Sequence, residues 1–319
     1  MAPGMRGKAK DVQRAAAASL FRQATGTGVG RRTAAGAIKH VFTALPAAPA
    51  PVQPVLVIGC HRSGTTLLHD ALACSSELAS LGDEGPVLWE AFHDPSQHGW
   101  GSNALGRGDV TENERKWIYR VVQTVGGGLR FLEKTPTNSL RVPYLDELFP
   151  DAMFVFLRRR AADNVNALIE GWRARPRFVT YRLPEPLEGL GDRSGHEWSF
   201  ALVPGWRELR RAPLEEVCAR QYVECNEAVI RARAELDPAR TIDVAYEDLV
   251  ERPSEEIARV FGELGLVFTE EAASFAASIP STPINALTPP KREKWREQNP
   301  AEIRRILPLV VGTERRLGY

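Results

Sequence analysis

The chain has 319 residues, 43% of them hydrophobic and 25% charged, with a formal net charge of +1. That is enough chain to bury a full core, and too balanced a charge for a surface built to coat nucleic acid. The four cysteines, Cys60, Cys74, Cys218 and Cys225, form no Cys-x-x-Cys pair and no zinc spacing, which favours a reducing, cytoplasmic setting. No apolar run approaches the ~18 residues that a membrane helix needs, so no transmembrane segment is expected.

In chain order, residues 1–53 stand apart. They are rich in Ala, Arg and Lys, with Asp11 the only acid of the first forty residues, and end in the Pro-rich "LPAAPAPVQP". This composition is shared with organellar transit peptides, but a basic helical arm followed by a stiff linker is the simpler reading. The domain proper is expected over 54–319. "PVLVIGC" reads as a buried strand, and "TTLLHDALAC" follows with helical spacing. Thr111 with Glu114 three residues on predicts a capped helix over 111–125. "LRFLEKTP" (129–136) and "AMFVFLRR" (152–159) read as strands, each followed by a helical stretch. Residues 80–110 are expected to form a loop. Between 176 and 213 the periodicity dissolves, which suggests a substrate-side flap. A long helix is expected over 214–236, then a strand in "RTIDV" and a helix ending at Gly265. Repeated strand–helix alternation predicts an α/β fold: a P-loop-NTPase-like parallel sheet flanked by helices, with a helical C-terminal part.

The chemistry concentrates in "GCHRSGTT" (59–66), which keeps the Gly-x-x-x-x-Gly frame of a phosphate loop. Gly59 and Gly64 let the backbone curl so that N–H groups converge at the start of a helix, and Ser63, Thr65 and Thr66 supply hydroxyls. Thr65 occupies the position of the usual lysine, and the cation, Arg62, sits inside the loop. The second half of nucleoside-triphosphatase machinery, a strand ending in a magnesium-binding acid, is not found: "FVFLRRR" ends in arginines. The ligand is therefore expected to carry two separated anionic groups, one at the loop and one near Arg158–Arg160.

Taken together, "GCHRSGTTLL", "EKTP", "LRRRAADNVNAL" and "YEDLVERP" resemble, in order, the blocks of sulfotransferases that use 3′-phosphoadenosine 5′-phosphosulfate (PAPS). The likeness spans roughly 54–300 and is similar to the bacterial branch related to protein-tyrosine sulfotransferases. It implies sulfuryl transfer from PAPS, without a metal, to a hydroxyl or amine. It also implies that Arg62, Ser63, Gly64, Thr65 and Thr66 hold the 5′-phosphosulfate with Arg62 near the bridging oxygen, that Lys134 donates to the sulfuryl group or the bridging oxygen, and that Arg158 takes the 3′-phosphate. Asn166 stands where the family usually has a serine, and Lys294 lies in a segment that would close over the cofactor. For the general base the resemblance points to Glu84, with Asp83 next; Glu90 and His93 lie in the same stretch. Arg159 and Arg160 are expected to be solvated, and Trp172, Trp198, Trp206, Cys218 and Cys225 to pack internally. The acceptor stays open among a sugar, a lipid, a phenolic metabolite and a peptide tyrosine. Two other readings are a P-loop kinase or NTPase with a variant loop, and a non-catalytic nucleotide-binding module.

Overall fold

The computed structural model describes residues 39, 42–43, 47–81, 86–193, 195–279 and 293–319, the side chains of 86, 87, 125 and 191–193 excepted. Five strands form a wholly parallel sheet: β1 (Val55–Ile58), β2 (Leu78–Ser80), β3 (Arg130–Lys134), β4 (Met153–Arg158) and β7 (Thr241–Ala245), in the order β2-β3-β1-β4-β7. β1 is central because every one of its residues is apolar and buried, as a strand covered on both faces must be. Its side chains alternate between two cores. Leu56 and Ile58 join Phe131, Phe154 and Phe156 on one face. Val55 and Val57 join Leu132, Val155 and Leu157 on the other.

Helices fill both faces. α1 (Thr65–Ala73) follows β1 directly, and α2 (Pro86–His93) and α3 (Glu112–Gly126) come next in the chain. The capping box that opens α3 forms as its sequence predicts: Thr111 Oγ accepts from the Glu114 N–H, and the Glu114 carboxylate accepts from the Thr111 N–H. α4 (Val142–Leu148), α5 (Ala161–Arg173) and α6 (Leu214–Arg233) follow, then the short α7 (Tyr246–Glu251), α8 (Pro253–Glu263), α9 (Glu270–Ser278) and α10 (Trp295–Gln298). α11 (Pro300–Arg316) packs on α5 and α6 and carries residues 317–319 to the end of β4. Upstream of the sheet, Phe42 is buried against Trp117, whose indole N–H donates to the Lys39 carbonyl. Apart from Lys39, Phe42 and Thr43, the stretch before residue 47 lies outside the described residues.

Two stretches are more regular than the sequence pattern suggests. Residues 80–110 contain α2 as well as short 3-10 turns. The stretch 176–213 holds an antiparallel hairpin of β5 (Val179–Leu187) and β6 (Gly195–Ser199). In β5, Tyr181, Leu183 and Leu187 face inward while Arg182, Pro184 and Pro186 face out. The prolines that disguise this period-2 pattern are tolerated because both strands of a two-stranded sheet are edges. The hairpin closes a third core with Trp172, Trp198, Phe200 and Trp206. No helix among the described residues is long and apolar enough to cross a membrane.

Candidate active site

The carboxyl ends of the three middle strands deliver three cations to one place. Arg62 follows β1, Lys134 ends β3 and Arg158 ends β4, and β1 lies between the other two. In an open parallel sheet this is the crevice in which ligands bind.

The loop between β1 and α1 is shaped by what cannot fit there. A Cβ on Gly59 would lie 2.7 Å from the Leu157 carbonyl oxygen and 2.9 Å from Ser63 Oγ. Gly64 has φ +105°, and a Cβ there would meet the Tyr246 ring at 2.5 Å. Arg62 itself sits at φ 66°, a left-handed conformation that costs a non-glycine residue energy and that the surroundings must enforce. Two neighbours enforce it. Arg159 donates through Nη1 to the Arg62 carbonyl at 2.7 Å, and Asn164 donates through Nδ2 to the His61 carbonyl at 2.8 Å. Arg159 also lies over the Tyr246 ring, 4.2 Å from its centroid, so it is a fastener of the loop and not the solvated residue its sequence suggests.

Inside this frame, α1 begins without a side-chain cap. Ser63 is buried, and its Oγ has no hydrogen-bond partner among the described residues. An uncapped helix start beside an unsatisfied buried hydroxyl fits an anionic group such as a sulfonate or phosphate. Lys134 is fully buried, and its Nζ donates to Thr66 Oγ1 at 3.2 Å, which ties the end of β3 to the first turn of α1. The neighbouring Glu133 is buried too; its carboxylate accepts from the Thr135 hydroxyl and from Asn138 Nδ2. The Arg62 guanidinium lies 4.8 Å from the Phe178 ring centroid, at the start of the hairpin.

His61 belongs to the same site. Its Nδ1 is shut off from solvent without a partner, and its ring stands 5.3 Å from that of Phe200. Burial first, then the cations Lys134, Arg62 and Arg141, push its pKa down to about 3. The imidazole is therefore neutral at physiological pH and too weak a base to retain an acceptor's proton.

Arg158 is already engaged. Its Nη1 donates to the Leu317 carbonyl at 2.7 Å, and the Tyr319 ring lies 4.9 Å from its guanidinium and 5.0 Å from that of Arg160. Tyr319 is held by its hydroxyl, which donates to Glu247. Asn166 turns away from the loop in its described contacts. Its Nδ2 donates to Gln298 at 2.8 Å, and its Oδ1 accepts from Asn299 at 2.7 Å. Lys294 is the residue before α10, and Gln298 ends that helix, so Asn166 and the Lys294 segment are joined through α10.

Asp83 and Glu84 lie outside the described residues. Of Glu90 and His93, the other candidates in that stretch, His93 faces a different carboxylate. Its Nε2 lies 2.9 Å from the fully buried Glu114, which also accepts from Tyr144 and the Thr111 N–H. Glu90 accepts from the hydroxyl of buried Tyr181 at 2.7 Å. Burial and then the Glu90 carboxylate hold the Tyr181 phenol well above its ordinary pKa, so it acts as a donor. Cys60, Cys218 and Cys225 are buried, and burial helps push the Cys60 and Cys218 thiols up, the Cys60 thiol mainly through its contact with Cys225.

Comparison with known proteins bears on this arrangement. Residues 54–181 and 194–270 match the model of the "Sulfotransferase family". A Caenorhabditis briggsae protein that carries the name "Putative protein-tyrosine sulfotransferase" is 25% identical over 231 residues, covering 69% of this chain and 68% of that protein. Among solved structures, the sulfotransferase STF9 from Mycobacterium avium superposes with a TM-score of 0.52 at 13% identity, covering 89% of this chain and 81% of that one. Mouse sulfotransferase SULT7A1 complexed with PAP gives 0.48 at 12% identity, with 87% and 89% covered.

Proposed function

This chain belongs to the sulfotransferase family, and we propose that it moves the sulfuryl group of PAPS to a hydroxyl acceptor by in-line displacement. The observation that carries the proposal is the loop itself: an uncapped helix start, an unsatisfied Ser63 hydroxyl, and Arg62 and Lys134 converging from adjacent strands. Ser63, Gly64, Thr65 and Thr66 would cradle the 5′-phosphosulfate. Arg62 and Lys134 would face the bridging oxygen and the sulfonate. In the reaction the acceptor oxygen forms a bond to sulfur as the bond from sulfur to the bridging oxygen breaks. The electron pair stays on the departing phosphate, and the acceptor proton passes to a base. Charge grows on the bridging oxygen only as that bond breaks, so a guanidinium placed there lowers the barrier more than it tightens binding.

For the base we retain Glu84, with Asp83 as the alternative, because His61, its pKa pushed down to about 3, is too weak a base, and His93 Nε2 faces the buried Glu114 instead. Arg158 would take the 3′-phosphate with the donors that its bond to the Leu317 carbonyl leaves. The segment 294–299, tied to α5 by Asn166, would close the nucleotide side. We assign the catalytic domain to 54–319, with the hairpin region 176–213 on the acceptor side. A cytoplasmic location remains part of the proposal, as does independence from a metal: Arg62, Lys134 and Arg158 supply the positive charge that a kinase draws from magnesium.

Calorimetric titration tests the donor assignment. PAP is expected to bind, and to bind far better than ADP, which lacks the 3′-phosphate. Equal affinity for the two nucleotides, or magnesium-dependent binding of ATP alone, would return the chain to the kinase reading.

A further inference from the structure

One buried cation is left over by this assignment. Arg141, at the end of the turn that follows Lys134, is 1% exposed. Its Nε donates to the Asn103 carbonyl at 2.8 Å, but Nη1 has no partner, and no carboxylate among the described residues pairs with it. A charge buried without a counter-ion is among the costliest arrangements a fold can keep, and each such group calls for an explanation. Three residues earlier in the same turn, Asn138 is fully buried, with its Oδ1 also unsatisfied.

The position of Arg141 is on the acceptor side. Asn103, which receives its Nε, exchanges two hydrogen bonds with Leu202 and donates through Nδ2 to the Tyr181 hydroxyl at 2.6 Å. Tyr181 donates on to Glu90. Leu140, the residue before Arg141, shares a core with Cys60 of the loop and with Phe200, whose ring packs on His61. The chain of contacts thus runs from Arg141 through Asn103 and the hairpin back to the reacting centre. Along this path Arg141 Nη1, Asn138 Oδ1 and His61 Nδ1 are buried without hydrogen-bond partners.

We propose that Arg141 is a receptor for a carboxylate on the acceptor: the molecule sulfated is a small hydroxy acid, its carboxylate taken by the free guanidinium edge and its hydroxyl oriented by acceptor atoms such as Asn138 Oδ1. This rests on the sulfotransferase reading above for the identity of the transferred group, but not for the anion site. A guanidinium edge is a planar pair of donors that matches a carboxylate, and its deep burial favours a small molecule over a residue in a peptide chain.

The test uses the full chain and matched pairs, 4-hydroxyphenylacetate against 4-hydroxyphenylacetamide and 3-hydroxybutyrate against 3-hydroxybutyramide. Binding is read by thermal shift and calorimetry in the presence of PAP. At least one acid is expected to bind about tenfold more tightly than its amide, the value of one charge-assisted hydrogen bond. That preference is expected to vanish in Arg141→Met and to persist in part in Arg141→Lys. Arg141→Met is also expected to melt no lower than the wild type without ligand, because it removes an uncompensated charge. Acid and amide binding alike, no binding by either pair, or a preference that survives Arg141→Met would overturn the proposal. So would Arg141-dependent binding of an acidic tyrosine peptide in place of the small acids. If the acids bind through Arg141 while PAPS supports no transfer, the sulfotransferase reading fails and the anion site stands; the reverse result sinks the anion site alone.

Discussion

Arg62 concentrates the account at the scale of one residue. It is a non-glycine residue in a left-handed conformation, held there by Arg159, and its cation occupies the loop where a nucleoside triphosphatase has none. Arg62→Ala is expected to lower kcat by about 10²–10³-fold while the fold and PAP affinity largely survive, since in the proposed mechanism its charge would act mainly on the breaking bond. Near-normal turnover would remove Arg62 from the mechanism. His61 gives a prediction in pH. Its pKa falls from 6.5 to about 3 on folding, so between those values the unfolded chain binds the proton that the folded chain refuses. Stability from this group is present above pH 6.5 and lost as pH falls toward 3. His61→Asn should therefore flatten the acid limb of a urea-midpoint profile across that window, and it should leave the acid-side pKa of the rate profile in place. A rate profile that loses its acid-side pKa would instead make His61 the base.

At the scale of the element, the loop depends on groups outside it. Asn164 on α5 holds the His61 carbonyl, and truncating it leaves that carbonyl without its partner. Asn164→Ala is expected to cost roughly 1–2 kcal/mol in urea unfolding and to weaken PAP binding as the loop loosens. An unchanged affinity would show that the loop holds its shape without α5. The loop and its strand were legible in the sequence because glycine spacing and an apolar run are local signals. So were Lys134 and Arg158, which end strands of that kind. Asn164 and Arg159 were not, because their roles depend on α5 and β4 being carried beside the loop, a distance of about a hundred residues in the chain. Nor was β5 legible: its alternation is interrupted by Pro184 and Pro186, which mark turns elsewhere but sit on an exposed edge here. The burial of Arg141 has no local signal at all, since nothing in "NSLRVP" distinguishes a surface arginine from one that is 1% exposed.

At the scale of the whole molecule, α11 carries Leu317 and Tyr319 onto Arg158 and Arg160, so the far end of the described chain covers the cations that would meet the 3′-phosphate. Cation–ring contacts of this kind contribute about 0.5–2 kcal/mol. Tyr319→Ala is accordingly expected to tighten PAP binding by about two- to thirtyfold in calorimetry, and weaker binding would place the tyrosine inside the nucleotide site. The parallel sheet brings the loop after β1 and the buried Lys134 together at its carboxyl end, and the separate β5–β6 hairpin reaches them through Phe178 beside Arg62 and Phe200 beside His61. The most direct measurement is transfer itself: the purified chain is incubated with radiosulfur-labelled PAPS and a cell extract, in parallel with labelled ATP and magnesium. Label is expected to appear in an extract component from PAPS, to persist in the presence of EDTA, and to disappear with Arg62→Ala. Turnover of ATP with magnesium, and no label from PAPS, would contradict the account.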